Sequence, residues 1–147
     1  MDFALKKAPA YRVAAVERRG PWKKDHLRAE FQEVARWAKE NKLRTGKWFF
    51  VERGEKRFEA CVELKGKAKG SGRVRVKTLP SSRVASVTFD PEQLSPRVVY
   101  HGLNDWVKWR KKDGEIKSVG YSREVYEADP WTNAKAWAKA EIQYLVR

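Results

Sequence analysis

The feature that most constrains this chain is that it repeats itself. Lys6-Lys7-Ala8-Pro9-Ala10-Tyr11-Arg12-Val13-Ala14-Ala15-Val16 lies over Lys77-Thr78-Leu79-Pro80-Ser81-Ser82-Arg83-Val84-Ala85-Ser86-Val87 at a constant offset, with Lys, Pro, Arg, Val, Ala and Val coinciding. Six identities in an eleven-residue window far exceed chance. One inserted residue then brings Trp37 over Trp109, and Glu59-Ala60-Cys61-Val62 faces Glu141-Ile142-Gln143-Tyr144 after a longer loop in the second copy. A period of this length signals one structural unit used twice.

Each copy reads as strand, strand, helix, strand, strand. A short strand (about Phe3 to Lys6, and Arg73 to Lys77) runs into a Pro that punctuates a turn. The next strand follows, Tyr11 to Arg18 and Arg83 to Phe89; its Val13-Ala14-Ala15-Val16 centre is apolar throughout, as in a strand buried on both faces. The first helix is expected over Lys23 to Asn41, with Leu27, Phe31, Val34 and Ala38 on one stripe. The second is expected over Pro96 to Lys112, with Val99, Leu103, Trp106 and Val107 in the same rhythm and Gly114 as its stop. Lys47 to Glu52 with Arg57 to Lys65, and Lys117 to Glu127 with Ala138 to Val146, close the two copies. Phe58, Ala60, Val62 and Leu64 alternate with Glu59, Cys61 and Glu63, the period of a strand.

The expected fold class is therefore α+β: a tandem duplication of a ββαββ unit, giving a curved antiparallel sheet of about eight strands, two long helices and a central cleft. The chain reads as a single domain over 1–147, with repeat one at 2–66, a Gly- and Ser-bearing linker at 66–72 and repeat two at 73–147. One half alone leaves an apolar face and an open edge, which pairing of the halves removes. The junction is where a ligand cleft is expected.

With 41% hydrophobic residues, seven Trp, five Tyr and six Phe, the chain carries more aromatic surface than a core of this size needs. The net charge is +14, but its Lys and Arg are scattered along the chain. That pattern reads mainly as a solvated surface, with a nucleic-acid partner possible on charge grounds and not favoured. Cys61 is the single cysteine, so no intrachain disulfide forms and a reducing compartment is compatible. No apolar leader or membrane-length run is present, and the expected location is cytoplasmic, as a monomer or homodimer. His26 and His101 have no metal-ligand spacing around them, and Cys61 between Glu59 and Glu63 is a poor candidate for a thiolate. No metal and no cofactor is expected.

Tyr11-Arg12-Val13-Ala14-Ala15-Val16 followed by Arg19-Gly20-Pro21-Trp22 resembles the opening of the GyrI-like domains, in which a Gly-Pro-aromatic element precedes the first helix. Leu79-Pro80-Ser81-Ser82-Arg83-Val84-Ala85 is similar to the start of their second half, Arg123-Glu124-Val125-Tyr126-Glu127-Ala128-Asp129-Pro130 to their Glu-x-Tyr…Asp-Pro element, and Ala140-Glu141-Ile142 to their last strand. The resemblance spans the chain. It implies a small-molecule-binding domain of the kind found as the effector-binding part of AraC- and MerR-type multidrug regulators, here as a stand-alone member because no helix-turn-helix module precedes it. It also implies a central aromatic pocket in which the Glu of the Glu-x-Tyr strand meets cationic amphiphiles; by motif position that residue is Glu124. A subset of relatives hydrolyses cyclopropane-bearing electrophiles in the same cage, in which case Glu124 is the catalytic group.

The residues themselves supply the remaining candidates. Glu124 and Tyr126 share a strand face. Trp131 and Trp137 flank Thr132 to Ala136 in a loop, where they either cap the core or wall a pocket. Trp48 and Phe50 share one strand face, Trp22 follows the first Gly-Pro turn, and Tyr100 and Trp106 share a broad face of the second helix. Trp37 and Trp109 read as a matched structural pair. The expected ligand is a small aromatic or hydrophobic compound, cations included; hydrolysis of a strained electrophile is the alternative, and binding of nucleic acid or protein through the basic surface the third reading.

Overall fold

The computed structural model describes residues 1–133, 136 and 139–147. Eight strands form one sheet: β1 (Phe3–Ala8), β2 (Tyr11–Arg19), β3 (Thr45–Glu52), β4 (Arg57–Leu64), β5 (Arg75–Leu79), β6 (Ser82–Phe89), β7 (Val119–Tyr126) and β8 (Ala140–Val146). Two helices, α1 (Lys24–Glu40) and α2 (Pro96–Lys112), separate β2 from β3 and β6 from β7. The fold is α+β, as the strand and helix periodicities predict.

Sheet order is β1-β6-β8-β7-β3-β4-β2-β5, antiparallel throughout. Exchanging the elements of one half for those of the other leaves this order unchanged. The registers obey the same exchange: Val13 lies opposite Glu63 and Val16 opposite Ala60, while Val84 lies opposite Leu145 and Val87 opposite Ile142. The halves meet where β3 pairs with β7, and Phe50 and Glu124 are partners in the middle of that pairing. The outermost strands are traded: β1 pairs with β6 of the second half and β5 with β2 of the first.

Both helices lie on one face. Leu27, Phe31, Val34, Trp37 and Ala38 of α1 and Val99, Leu103 and Val107 of α2 share one core with Phe58, Ala60 and Val62 of β4 and Ala85 and Val87 of β6. Ser95 caps α2, its Oγ accepting the Val98 N–H at 3.3 Å, and Pro96 fills the first turn, where no N–H is required. Arg110, Lys111 and Lys112 sit at the negative end of the α2 dipole. Trp37 is buried, its indole N–H donating to Ser71 Oγ at 2.9 Å, whereas Trp109 is 59% exposed. The pair does not share a structural role: Trp37 is held under the linker by Ser71, and Trp109 faces solvent.

The opposite face has no helix among the described residues, yet Val13, Ala15, Phe49, Val51, Cys61, Leu79 and Val125 are buried there beneath Tyr11 and Tyr121. The sheet curls over them: the Tyr11 ring on β2 lies 4.9 Å from Phe49 on β3 and 5.9 Å from the Arg123 guanidinium on β7. Charged groups complete this second core. Glu59, fully buried, accepts from Arg53 Nε at 2.6 Å and from Lys77 Nζ. Lys77 belongs to the traded strand β5, and on the other side Lys6 of the traded strand β1 meets Glu141 at 2.9 Å. Each exchanged edge is thus held by a lysine–glutamate contact as well as by its backbone ladder. Burial pushes the Glu59 carboxyl up, and its bonds to Lys77 and Arg53 outweigh that, leaving it below the usual carboxylate range.

Glu59→Gln is expected to destabilise the fold by about 1.5–3 kcal/mol in urea titrations, toward the lower figure because Lys77 and Arg53 remain partly solvated. A carboxyl whose folded-state pKa is depressed adds stability above its unfolded value and loses it as pH falls through the folded one. The gap between parent and variant should therefore close below about pH 4; a gap constant down to strong acid would contradict the Glu59 linkage. The Cys61 thiol, pushed up by burial and then by the Glu59 charge, should resist iodoacetamide in the native state and react after unfolding.

Candidate functional site

On the helix side a cavity of about 390 Å³ opens over the seam between the halves. Its floor is the central strand pair, with Phe50 from β3 and Glu124 and Tyr126 from β7. Leu27 and Phe31 of α1 form one wall and Pro96 and Tyr100 of α2 the other. Trp22, Lys24, Pro130 and Trp131 surround the mouth.

Local sequence explains how the aromatic groups arrive there. At the end of β2 the chain turns through Gly20, whose φ of +97° suits a residue without Cβ, and the Gly20 N–H donates to the Lys56 carbonyl at 2.7 Å. Pro21 follows, and Trp22 then meets Phe50 edge-on at 5.8 Å while remaining 46% exposed. After β7, the Asp129 carboxylate accepts the Trp131 N–H at 2.9 Å, an Asx turn that swings the indole back over the seam. The Arg28 guanidinium lies 5.9 Å from that ring.

Glu124 carries the charge of the floor. Its Oε2 accepts the Tyr100 hydroxyl at 2.8 Å and its Oε1 the Tyr126 hydroxyl at 2.5 Å. Burial raises the pKa of both phenols, and the Glu124 charge raises them further, so both remain protonated donors. Burial, then the Glu124 charge, also raises the Glu52 carboxyl on β3. No lysine or arginine among the described residues makes an ion pair with Glu124. The cavity is therefore apolar in its walls and negative at its base, with neutral phenols as the donors to its carboxylate among the described residues. No three His, Cys, Asp or Glu side chains among the described residues are grouped to hold a metal ion.

The structure gathers Trp22, Phe50, Tyr100, Glu124, Tyr126 and Trp131 around this one space. Trp48 and Trp106 stand outside it. Trp48 is buried beside Phe31 at 6.1 Å, and Trp106 stacks on Phe3 at 5.9 Å on the far side of α2. Trp137 lies outside the described residues. Sequence reasoning passed over Leu27 and Phe31, since their spacing marks them as core stripe; they are core residues whose outer edge faces the cavity. Among the described residues no helix is long and apolar enough to cross a membrane.

No curated protein matches the chain in sequence. Several solved structures match its fold. The C-terminal domain of EcmrR superposes with a TM-score of 0.77 at 20% identity, covering 99% of this chain and 97% of that one. EcmrR in its complex with DNA gives 0.78 at 19% identity, and there this chain spans only 57% of the longer one. SAV2435 bound to tetraphenylphosphonium gives 0.59 at 12% identity, covering 100% and 94% of the two chains. A hydrolase encoded by lin2189 of Listeria innocua gives 0.61 at 9% identity, covering 99% and 91%. At these identities the likeness is one of fold. A family model describes the rest: matched from residue 1 to residue 147, the chain belongs to the GyrI-like small molecule binding domains.

Proposed function

We propose that this protein binds aromatic, hydrophobic compounds, organic cations among them, in the cavity over Glu124, for sensing or sequestration. The observation that carries this reading is a carboxylate at the base of an aromatic cavity that accepts from two phenols and makes no ion pair among the described residues. A lipophilic cation meets there the charge it lacks in an ordinary apolar pocket, and ring faces add about 0.5–2 kcal/mol each through cation–π attraction. The volume of about 390 Å³ suits a ligand of two to four rings. Tetraphenylphosphonium, the ligand of the SAV2435 structure, is of that chemical kind.

A second reading has its own observation. Glu124 and two protonated phenols within 2.8 Å form an acid–base set in a water-poor space. Glu124 would take a proton from water as its oxygen attacks a strained cyclopropane carbon, and a tyrosine would protonate the carbon released as the ring bond breaks.

Glu124→Gln separates the readings. With Glu124 as counter-ion, affinity for tetraphenylphosphonium, followed by Trp fluorescence, should fall about tenfold or more, while neutral triphenylphosphine oxide binds as before. Equal affinities for the cation in parent and variant would refute the counter-ion role. With Glu124 as a base, a cyclopropane substrate should still bind and its turnover should drop about 10²–10⁴-fold. Trp22→Ala should weaken cation and neutral compound alike, while shifting stability by only about 0.5 kcal/mol, because the ring it removes is largely outside the core.

A further inference from the structure

The +14 charge is not spread evenly over the folded molecule. On the sheet face away from the ligand cavity two adjoining cavities, of about 550 and 670 Å³, share Glu17, Arg19 and Arg57 and so form one groove. Arg73, Arg75 and Lys77 line one end, and Arg53 and Lys56 the other, with Tyr121 beyond them. Among the described residues Glu17 and Glu59 are the acidic members of the lining.

Those two carboxylates are already engaged. Glu59 takes Arg53 and Lys77, and Glu17 takes Arg57 at 3.4 Å; Arg73 reaches away to Glu30 and Glu33 on α1. Arg19, Lys56 and Arg75 have no carboxylate partner among the described residues. Register sharpens the imbalance. Arg19 and Arg57 are directly opposed partners of β2 and β4, so their side chains leave the same face side by side. Like charges in that relation are destabilising. They are placed as two guanidiniums bridged by one tetrahedral anion are placed, each offering a fork of donors to phosphate oxygens. Arg75 lies opposite Ala15, four residues along β2 from Arg19, roughly 13 Å away at strand rise. One phosphate cannot span that distance.

The geometry points to a phosphate-binding groove, centred on Arg19 and Arg57 and separate from the aromatic cavity, that takes a polyphosphate or phosphodiester chain. The shared chemistry is that of a free nucleotide or a nucleic-acid strand. A solvated coat of scattered charge, the reading favoured by sequence alone, does not place two arginines opposite each other in a groove where seven basic side chains meet two acids among the described residues.

The test uses ATP and a ten-nucleotide oligothymidylate as probes, in about 150 mM salt so that diffuse attraction is screened. At least one probe should bind. The double change Arg19→Gln with Arg57→Gln should weaken it by about tenfold or more, the loss expected for a charge-assisted hydrogen bond. Lys108→Gln with Lys112→Gln, removing the same charge from the exposed side of α2, should leave affinity unchanged. Competition by ATP against bound oligothymidylate assigns the groove to free nucleotide; strand binding that ATP does not displace assigns it to nucleic acid. Loss of like-charge repulsion keeps the Arg19, Arg57 variant folded, so a second readout is available. ATP should raise the melting temperature of the parent and not that of the variant. Failure of both probes to bind, or equal weakening by the α2 control, overturns the groove. Tetraphenylphosphonium binding should be the same in all three proteins, so the result is independent of the aromatic cavity.

Discussion

The antiparallel ladder between β3 and β7 is the interaction on which everything else rests. It joins two four-stranded halves into one sheet, and its middle pair, Phe50 with Glu124, is the floor of the cavity. Without that ladder each half would expose a strand edge, and the walls from α1 and α2 would face solvent instead of each other. The cavity is therefore a property of the seam, with Phe50 of one half and Glu124 of the other paired in its floor.

The registers explain why the seam is asymmetric in chemistry although the backbone is nearly symmetric. With β4 and β8 brought into correspondence, Phe50 occupies in the first half the place that Glu124 occupies in the second. The repeat thus holds one backbone position open to two side-chain types, and the protein uses an aromatic in one copy and a carboxylate in the other.

Much of this was legible in the sequence. The period-two alternation of Phe58 to Leu64, the stripe of α1 and the offset between Val13 and Val84 set the element types and their equivalence. α2 occupies the range Pro96 to Lys112 expected from its apolar rhythm and Gly114 stop. The trade of β1 and β5 was not readable, because strand periodicity says which face is buried and nothing about which neighbour is chosen. The candidate site divides along the same line. Glu124, Tyr126, Trp22 and Trp131 stand in turns and on strand faces whose direction follows from local chemistry, and the structure brings them together. Trp48 shares the cavity face of β3 with Phe50, but Phe31 packs on it, and Trp106, about 120° around α2 from Tyr100, packs on Phe3. The basic groove was invisible in one dimension. Arg19, Arg57 and Arg75 are far apart along the chain and meet only through the register of β2.

The traded strands also govern the order in which the chain can fold. β1 is made well before its partner, β6, which follows only after the whole first helix and the four strands β2 to β5. Until then Phe3–Ala8 has no strand to pair with, while β2, β3 and β4 can already form a three-stranded sheet, in the order β3-β4-β2, beside α1. β5, by contrast, finds β2 waiting when it appears. β1 is thus made early and placed late, and its closure onto β6 joins distant parts of the chain, the kind of contact that slows folding.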